Sequence, residues 1–194
     1  MYDEYGNLVI PRGYGRIHFS RQEVVQILIS VAVLTIAFTV VLLGGLFGDL
    51  ESLDTVVWLF ALGVSAVVSI TGFLLHELAH KFVAQRYGAW AEFRMYPLGL
   101  LMALLFSFLG FLLAAPGAVF ISGRINRKQN GVISLAGPAT NIAFGGAFVA
   151  LWLVFPDAGI WSTAFNLIGQ LSLLLGVFNL LPFGPLDGRK VWSW

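Results

Sequence analysis

The feature that most constrains this chain is a series of long apolar segments that very few charged residues interrupt. The segments cover residues 24–47, 56–83, 98–121, 132–155 and 161–181. A membrane-spanning helix needs about 20 predominantly apolar residues, and each segment reaches that length. Charged residues make up 11% of the chain, against about 25% in a typical soluble domain, so little charge remains to cover a water-exposed surface. We therefore predict an integral, multi-pass membrane protein.

Two whole-chain properties exclude other classes of site. The net charge of +1 provides no electrostatic basis for binding nucleic acid. The chain contains no cysteine, which excludes disulfides, iron–sulfur clusters and thiolate metal sites. The predicted environment is a lipid bilayer, and no nucleic acid is expected as a partner.

The distribution of lysine and arginine indicates that the segment 98–121 does not cross the membrane. Basic residues collect near the cytoplasmic ends of spans. If 98–121 is re-entrant, all eleven basic residues lie on one side, and the acidic loops 48–54 and 156–160 lie on the other. The length of the segment alone would instead favour a fifth span. We predict an all-α polytopic membrane protein with four transmembrane helices and a re-entrant or short β segment between the second span and the 132–155 span.

The remaining segments fit this topology. Residues 1–21 are polar and lack a cleavable signal pattern, so we expect a cytoplasmic N-terminal segment followed by a single transmembrane domain over 22–194. Both termini are then cytoplasmic. Strand-like alternation marks residues 87–96, with a second candidate strand within 117–135, and residues 122–131 are expected to form a basic, hairpin-like loop.

A metal-binding pattern lies inside the second span. His76 and His80 are four residues apart, so both lie on one helical face and can ligate one ion. Glu77 is the next residue around the helix and is placed to act as a general base on water, as in the H-E-x-x-H zinc arrangement. The alternative is a pair of buried, hydrogen-bonded histidines. Ionisable residues at membrane depth usually mark a functional site, which favours the metal.

A catalytic zinc site needs three protein ligands and one open position. The candidates for the third ligand are His18, Glu92 and Asp187. With four spans, Asp187 and the two histidines approach the cytoplasmic side at comparable depth, whereas five spans would place them toward opposite sides. Asp187 is therefore the preferred ligand. It also lies in a Pro-Leu-Asp-Gly turn, and the turn and ligand roles are compatible.

Several small or polar residues of the second span follow a helical spacing that leads to this site. If the span is a regular α-helix, Ser65, Ser69 and Gly72 share one face with the histidines. Such a face predicts either a water path to the metal or close packing between helices, and the pattern does not separate the two.

Three ordered motifs resemble the site-2 protease family of intramembrane zinc metalloproteases. The first is HExxH at residues 76–80, and the second is NLLPFGPLDG, which matches N-x-x-P-x-x-x-x-D-G with Asn179 and Asp187. The third is AGPATN, which contains Gly137, Pro138 and Asn141. The resemblance covers about residues 56–190.

This resemblance implies a zinc ion held by His76, His80 and Asp187, with Glu77 as the catalytic base. It implies Asn141 and Asn179 as groups that hold the substrate backbone or the oxyanion. The expected activity is hydrolysis of peptide bonds in transmembrane protein substrates near the cytoplasmic side, with the metal-binding core in residues 56–190. The alternative is a membrane metal-ion transporter that uses His76, His80 and Asp187 as a transit site, although transport does not need Glu77 beside the ligands.

Overall fold

The computed structural model describes residues 17–49, 53–112 and 115–194, and it is a helical, polytopic membrane protein. Among these residues, four helices are long and apolar enough to cross a membrane, at Arg21–Phe47, Thr55–Arg86, Arg127–Val154 and Ile160–Asn179. Many of their large apolar side chains point outward and are exposed on the isolated chain, as expected for surfaces that contact lipid. The prediction of four transmembrane helices is confirmed.

The first two spans are separated by a short loop. Helix α1 (Arg21–Leu42) begins at the N-cap Ser20, whose side chain accepts a hydrogen bond from the Glu23 N–H, and a short 3-10 turn (Gly45–Phe47) follows it. The second span consists of α2 (Thr55–Val68), a π-helical segment (Ser69–Leu74) and α3 (Leu75–Arg86). The HExxH residues lie at the start of α3.

A re-entrant unit connects the second and third spans. It contains strand β1 (Trp90–Met95), helix α4 (Pro97–Phe108) and strand β2 (Gly117–Ser122), which pairs antiparallel with β1 so that Phe93 lies opposite Val119. Twelve helical residues extend about 18 Å, which is too short for a hydrocarbon core of about 30 Å. Because β2 pairs with β1, the chain returns to the side from which it started. The re-entrant prediction is confirmed.

The last two spans form a closely packed pair. Helix α5 (Arg127–Val154) and helix α6 (Ile160–Asn179) make the most extensive contact between two elements, and α5 also packs on α3. A short helix, α7 (Gly188–Val191), follows α6 after a loop. This arrangement brings the end of α6 to the same side of the molecule as the end of α3.

Two expectations from the sequence differ from the structure, and a third falls mostly outside the described residues. Residues 127–131 are not a loop, because the capping box of Asn126 and Gln129 starts α5 at Arg127. The assumption of a regular α-helix through the second span is also wrong, because the π-helical segment adds about one residue to a turn and shifts the helical phase by about 100°. Residues 1–16 of the predicted N-terminal segment lie outside the described residues.

Basic residues gather at one end of the four-helix arrangement. The nine that the structure describes lie at the start of α1, in the last two turns of α3, in β1, just before or at the start of α5, or in α7. Asp54 and Asp157 lie in the loops at the opposite end. The charge asymmetry expected from the sequence is therefore retained in the fold.

Candidate metal centre

The two histidines of the HExxH pattern lie on the interior face of α3. His76 and His80 are both buried, and their Nε2 atoms are 3.0 Å apart. Gly137 of α5 approaches them closely, since a Cβ at this position would lie 2.6 Å from the His76 Nε2 and closer still to the His80 Nε2. A glycine is therefore required where α5 passes the imidazoles.

Asp187 reaches the histidines from the loop that follows α6. Its Oδ2 lies 3.2 Å from the His76 Nε2 and 3.0 Å from the His80 Nε2. The next residue, Gly188, packs directly on the end of α6, where any Cβ would overlap the Leu180 carbonyl. This contact explains why a glycine follows the aspartate, because it lets the loop return toward the site.

The three donor atoms have the spacing of a tetrahedral metal site. His76, His80 and Asp187 each offer one ligand atom, and no other group of three such side chains was found among the described residues. Ligands about 2.0–2.1 Å from a zinc ion in tetrahedral geometry lie about 3.3 Å from one another. The observed separations of 3.0 to 3.2 Å are close to that value. The donor set therefore fits a metal ion.

A hydrogen bond fixes the orientation of one imidazole. The His80 Nδ1 lies 2.7 Å from the Ile133 carbonyl oxygen of α5. Because a carbonyl can only accept, Nδ1 carries the proton, and the Nε2 of the neutral ring presents a lone pair toward Asp187. Metal-binding histidines commonly have such a carbonyl partner. The His76 Nδ1 is buried, and the described residues offer it no hydrogen-bond partner.

The carboxyl group of Asp187 carries the negative charge that a ligand of a metal cation requires. Burial by itself would raise the pKa of this carboxyl, but its contacts with His76 and His80 outweigh burial and hold the pKa well below its usual range. The carboxylate is therefore ionised at neutral pH.

Glu77 lies beside the three donors without joining them. It is half-buried and lines a cavity of about 280 Å³ together with His76, His80 and Asp187. Glu77 can therefore exchange a proton with a water molecule or a substrate held in this cavity.

The two asparagines implied by the resemblance lie near the centre but bond to backbone. Asn141 is fully buried, and its Nδ2 donates to the Gly72 carbonyl of the π-helical segment at 3.1 Å, while its Oδ1 has no partner among the described residues. Asn179 lines the cavity, and its Nδ2 donates to the Leu175 carbonyl at 2.9 Å. Their roles toward a substrate remain predictions.

The other two candidate ligands lie elsewhere. His18 is exposed, and Glu92 on β1 forms an ion pair with Arg94 at 3.0 Å and accepts a hydrogen bond from Ser20. Neither belongs to the metal-binding group.

A second polar cluster, which the sequence patterns did not predict, lies at the start of α1. Glu23 and Lys81 form a buried ion pair, and Lys81 directly follows His80. An available signal was the presence of two opposite charges at the ends of apolar spans, where an unpaired charge is unfavourable.

The chain is similar to several known proteins. It is 35% identical to "Putative zinc metalloprotease MJ0611" of Methanocaldococcus jannaschii over 91% of this chain and 86% of that protein. It is 35% identical to "Putative zinc metalloprotease Rip3" of Mycobacterium tuberculosis over 87% of this chain, and 28% identical to "Zinc metalloprotease MJ0392" of M. jannaschii over 87% of this chain. The matches cover 40% and 42% of these last two proteins. No family model and no solved structure matches the chain.

Proposed function

Since the chain belongs to the site-2 protease family of zinc metalloproteases, we propose that it hydrolyses peptide bonds of transmembrane proteins within the membrane. The observation that carries this proposal is the convergence of His76, His80 and Asp187, with Glu77 in the same cavity. The two histidines lie inside the second apolar span, so a substrate would meet the site at membrane depth.

The proposed ligands of zinc are the Nε2 atoms of His76 and His80 and the carboxylate of Asp187. A bound zinc ion supplies a Lewis acid that polarises the scissile carbonyl and lowers the pKa of water toward 7. The Ile133 carbonyl keeps the His80 ring in the orientation that presents Nε2, and Gly137 leaves room for both rings.

Glu77 is the proposed general base. Its carboxylate takes a proton from the attacking water and then returns it to the leaving amine, which two separate steps of peptide hydrolysis require. Glu77 needs no place among the metal ligands for this role.

The free edge of β2 is the proposed docking site for the substrate. A helical substrate buries its carbonyls in its own hydrogen bonds, so it must be extended before cleavage. Gly117, Val119 and Ile121 line the cavity, and an extended peptide can add to a strand edge through backbone hydrogen bonds. Because the chain contains no cysteine, Ala118→Cys gives a single site for disulfide cross-linking to a cysteine placed near the scissile bond.

Asn141 and Asn179 are proposed to hold the segments around the metal group and to contact the substrate. Each uses its Nδ2 on a backbone carbonyl in the structure, which supports a role in holding the segments around the metal. The Oδ1 of Asn141 has no partner among the described residues and can accept from a substrate N–H.

We further propose that the site opens toward the cytoplasm. The metal group lies at the end of the molecule where the described basic residues gather, and these favour the cytoplasmic side. Single cysteines at Lys128→Cys and Asp157→Cys test this orientation. An impermeant maleimide added to intact cells should label only Asp157→Cys, and labelling of Lys128→Cys alone would reverse the proposed topology.

The decisive experiment compares the wild-type protein with Glu77→Gln on a transmembrane substrate. The variant should retain the wild-type zinc content and lose about 10²- to 10⁴-fold in cleavage rate, the usual contribution of a general base. Cleavage that survives the substitution would contradict the mechanism. The names of the relatives do not favour the metal-ion transporter. That alternative predicts ion flux through proteoliposomes, with no product from the substrate.

A further inference from the structure

A buried ion pair joins the first span to the helix that carries the histidines. The Lys81 Nζ lies 2.7 Å from Oε1 and 2.5 Å from Oε2 of Glu23, and these side chains are 1% and 0% exposed. The ammonium also lies over the ring of Phe19, 4.1 Å from its centroid. Removing two charges from water is unfavourable unless their remaining hydrogen-bonding capacity is used. The groups that use the remaining hydrogen-bonding capacity of Glu23 therefore indicate the role of this ion pair.

The further contacts are with strand β1. The Phe93 N–H donates to the Glu23 Oε1 at 2.9 Å, and the Met95 N–H donates to the Gln26 Oε1 at 3.1 Å. The Ala91 carbonyl accepts from the Gln85 Nε2 at 3.4 Å. These alternate residues of β1 direct their backbone groups away from β2, so they form its outer edge. Side chains of α1 and α3 close that edge against another strand.

The opposite edge of the two-stranded sheet faces the cavity. Gly117, Val119 and Ile121 of β2 line this cavity beside His76, Glu77 and His80. Phe93, which Glu23 holds, lies directly opposite Val119 in the pairing. A two-stranded sheet has little stability of its own. The position of the β2 edge therefore depends on how β1 is anchored.

We propose that Glu23 is a positioning residue for peptide hydrolysis, which anchors β1 to α1 and α3 and thereby sets the distance between the β2 edge and the metal group. The inference rests on the proposed function. Glu23 bonds to Lys81, the residue after His80, and to the N–H of Phe93, which lies opposite Val119. With Gln26, it also closes the outer edge of β1, so that an extended substrate can add only along β2.

Two double variants without charge separate the effect of the hydrogen bond between Phe93 and residue 23 from the effect of the ion pair. Glu23→Gln with Lys81→Met and Glu23→Leu with Lys81→Met both remove the ion pair without leaving a buried charge unpaired. They differ in one respect, because only glutamine retains an oxygen that can accept from the Phe93 N–H. Arg94→Met, at a half-buried position of the same strand, serves as the control.

Steady-state cleavage of a transmembrane substrate, metal content and thermal unfolding are measured for each variant. The leucine variant should have a KM about tenfold above that of the glutamine variant, since a displaced β2 edge forms weaker backbone hydrogen bonds with an extended substrate in its ground and transition states alike. Its metal content and kcat should match those of the glutamine variant. An equal KM in both variants would overturn the inference, as would a loss of metal and kcat at unchanged KM.

A single variant provides the same test if the double variants do not fold. Gln26→Leu removes only the acceptor of the Met95 N–H and changes no charge. It should raise KM by about threefold without changing metal content, and an unchanged KM would count against the inference. The wild-type protein and Glu77→Gln are assayed in parallel. Absence of wild-type cleavage would contradict the proposed function, whereas normal cleavage with equal KM values would contradict only the role of Glu23.

Discussion

Helix α3 carries two buried polar clusters, the metal group on the side of His76 and His80 and the ion pair on the side of Lys81. In the ion pair, the ammonium and the carboxylate compensate each other, and the Phe93 N–H donates a further hydrogen bond to Glu23. In the metal group, two imidazole nitrogens and a carboxylate oxygen meet within 3.2 Å, where their lone pairs repel one another unless a cation or protons lie between them. One cluster is complete by itself, and the other is arranged to hold an ion.

The largest expected difference between the clusters concerns metal content. Asp187→Ala removes one of three proposed ligands, and zinc affinity should fall by at least about 100-fold, because even partners of ligands contribute 10- to 100-fold. Cleavage should be lost with the metal. Elemental analysis of the purified protein measures the zinc content. Asp157→Ala, in the exposed loop at the opposite end, should retain wild-type zinc, and zinc retention by Asp187→Ala would exclude this aspartate as a ligand.

The ion pair should control stability instead. Lys81→Met leaves Glu23 buried without its cation, and the free energy of unfolding should fall by about 3–5 kcal/mol. Arg94→Met removes the cation of a pair whose arginine side chain is 32% exposed, and it should lower the free energy of unfolding by a smaller amount. Reversible unfolding in mixed micelles provides both values. Equal losses for the two variants would show that burial does not distinguish the two pairs.

The space beside the histidines should be as important as their donor atoms. Gly137→Ala places a methyl group against both imidazoles, so it should displace them and reduce cleavage by about 100-fold. Gly146→Ala on the same helix meets no atom within 4 Å and should leave cleavage within about twofold of wild type. A fully active Gly137→Ala protein would mean that α5 does not approach the site this closely.

The smallest effect is expected at the π-helical segment. Asn141→Leu removes the hydrogen bond to the Gly72 carbonyl and should lower the free energy of unfolding by about 1–3 kcal/mol. Asn166→Leu removes the bond between Asn166 and the exposed Gln170, and should change it by about 0.5 kcal/mol or less. The same unfolding assay compares the two. If Asn141→Leu retains its stability but loses cleavage, its main role is toward the substrate.

The sequence predicted features that depend on local spacing or on the whole charge distribution. Four spans and the re-entrant unit followed from the lengths of the apolar segments and the positions of the basic residues. The sequence indicated strand-like segments near β1 and β2, but it predicted neither their pairing nor their exact ends. The proximity of Asp187 to His76 and His80 followed from topology, because both positions approach the same membrane face.

Features that depend on contacts between distant backbone groups could not be predicted. The bond from His80 to the Ile133 carbonyl has no signal in the sequence, since every residue carries a carbonyl. The anchoring of β1 by Glu23 depends on where α1 packs, which the largely apolar sequence of this helix does not specify. The π-helical segment was hidden for a similar reason, because its residues also suit a regular α-helix.

Because of the π-helical segment, the number of residues in the second span determines how α3 is rotated relative to α2. Deleting one residue between Ser69 and Leu74 would favour an uninterrupted α-helix and turn everything beyond it by about 100° relative to α2. If α2 kept its packing, the imidazoles of α3 would turn away from the Asp187 carboxylate. If α3 instead kept its position, the lipid-facing side of α2 would rotate into the protein. The extra residue thus allows one continuous span to satisfy two different neighbours, the bilayer around α2 and the polar centre beside α3.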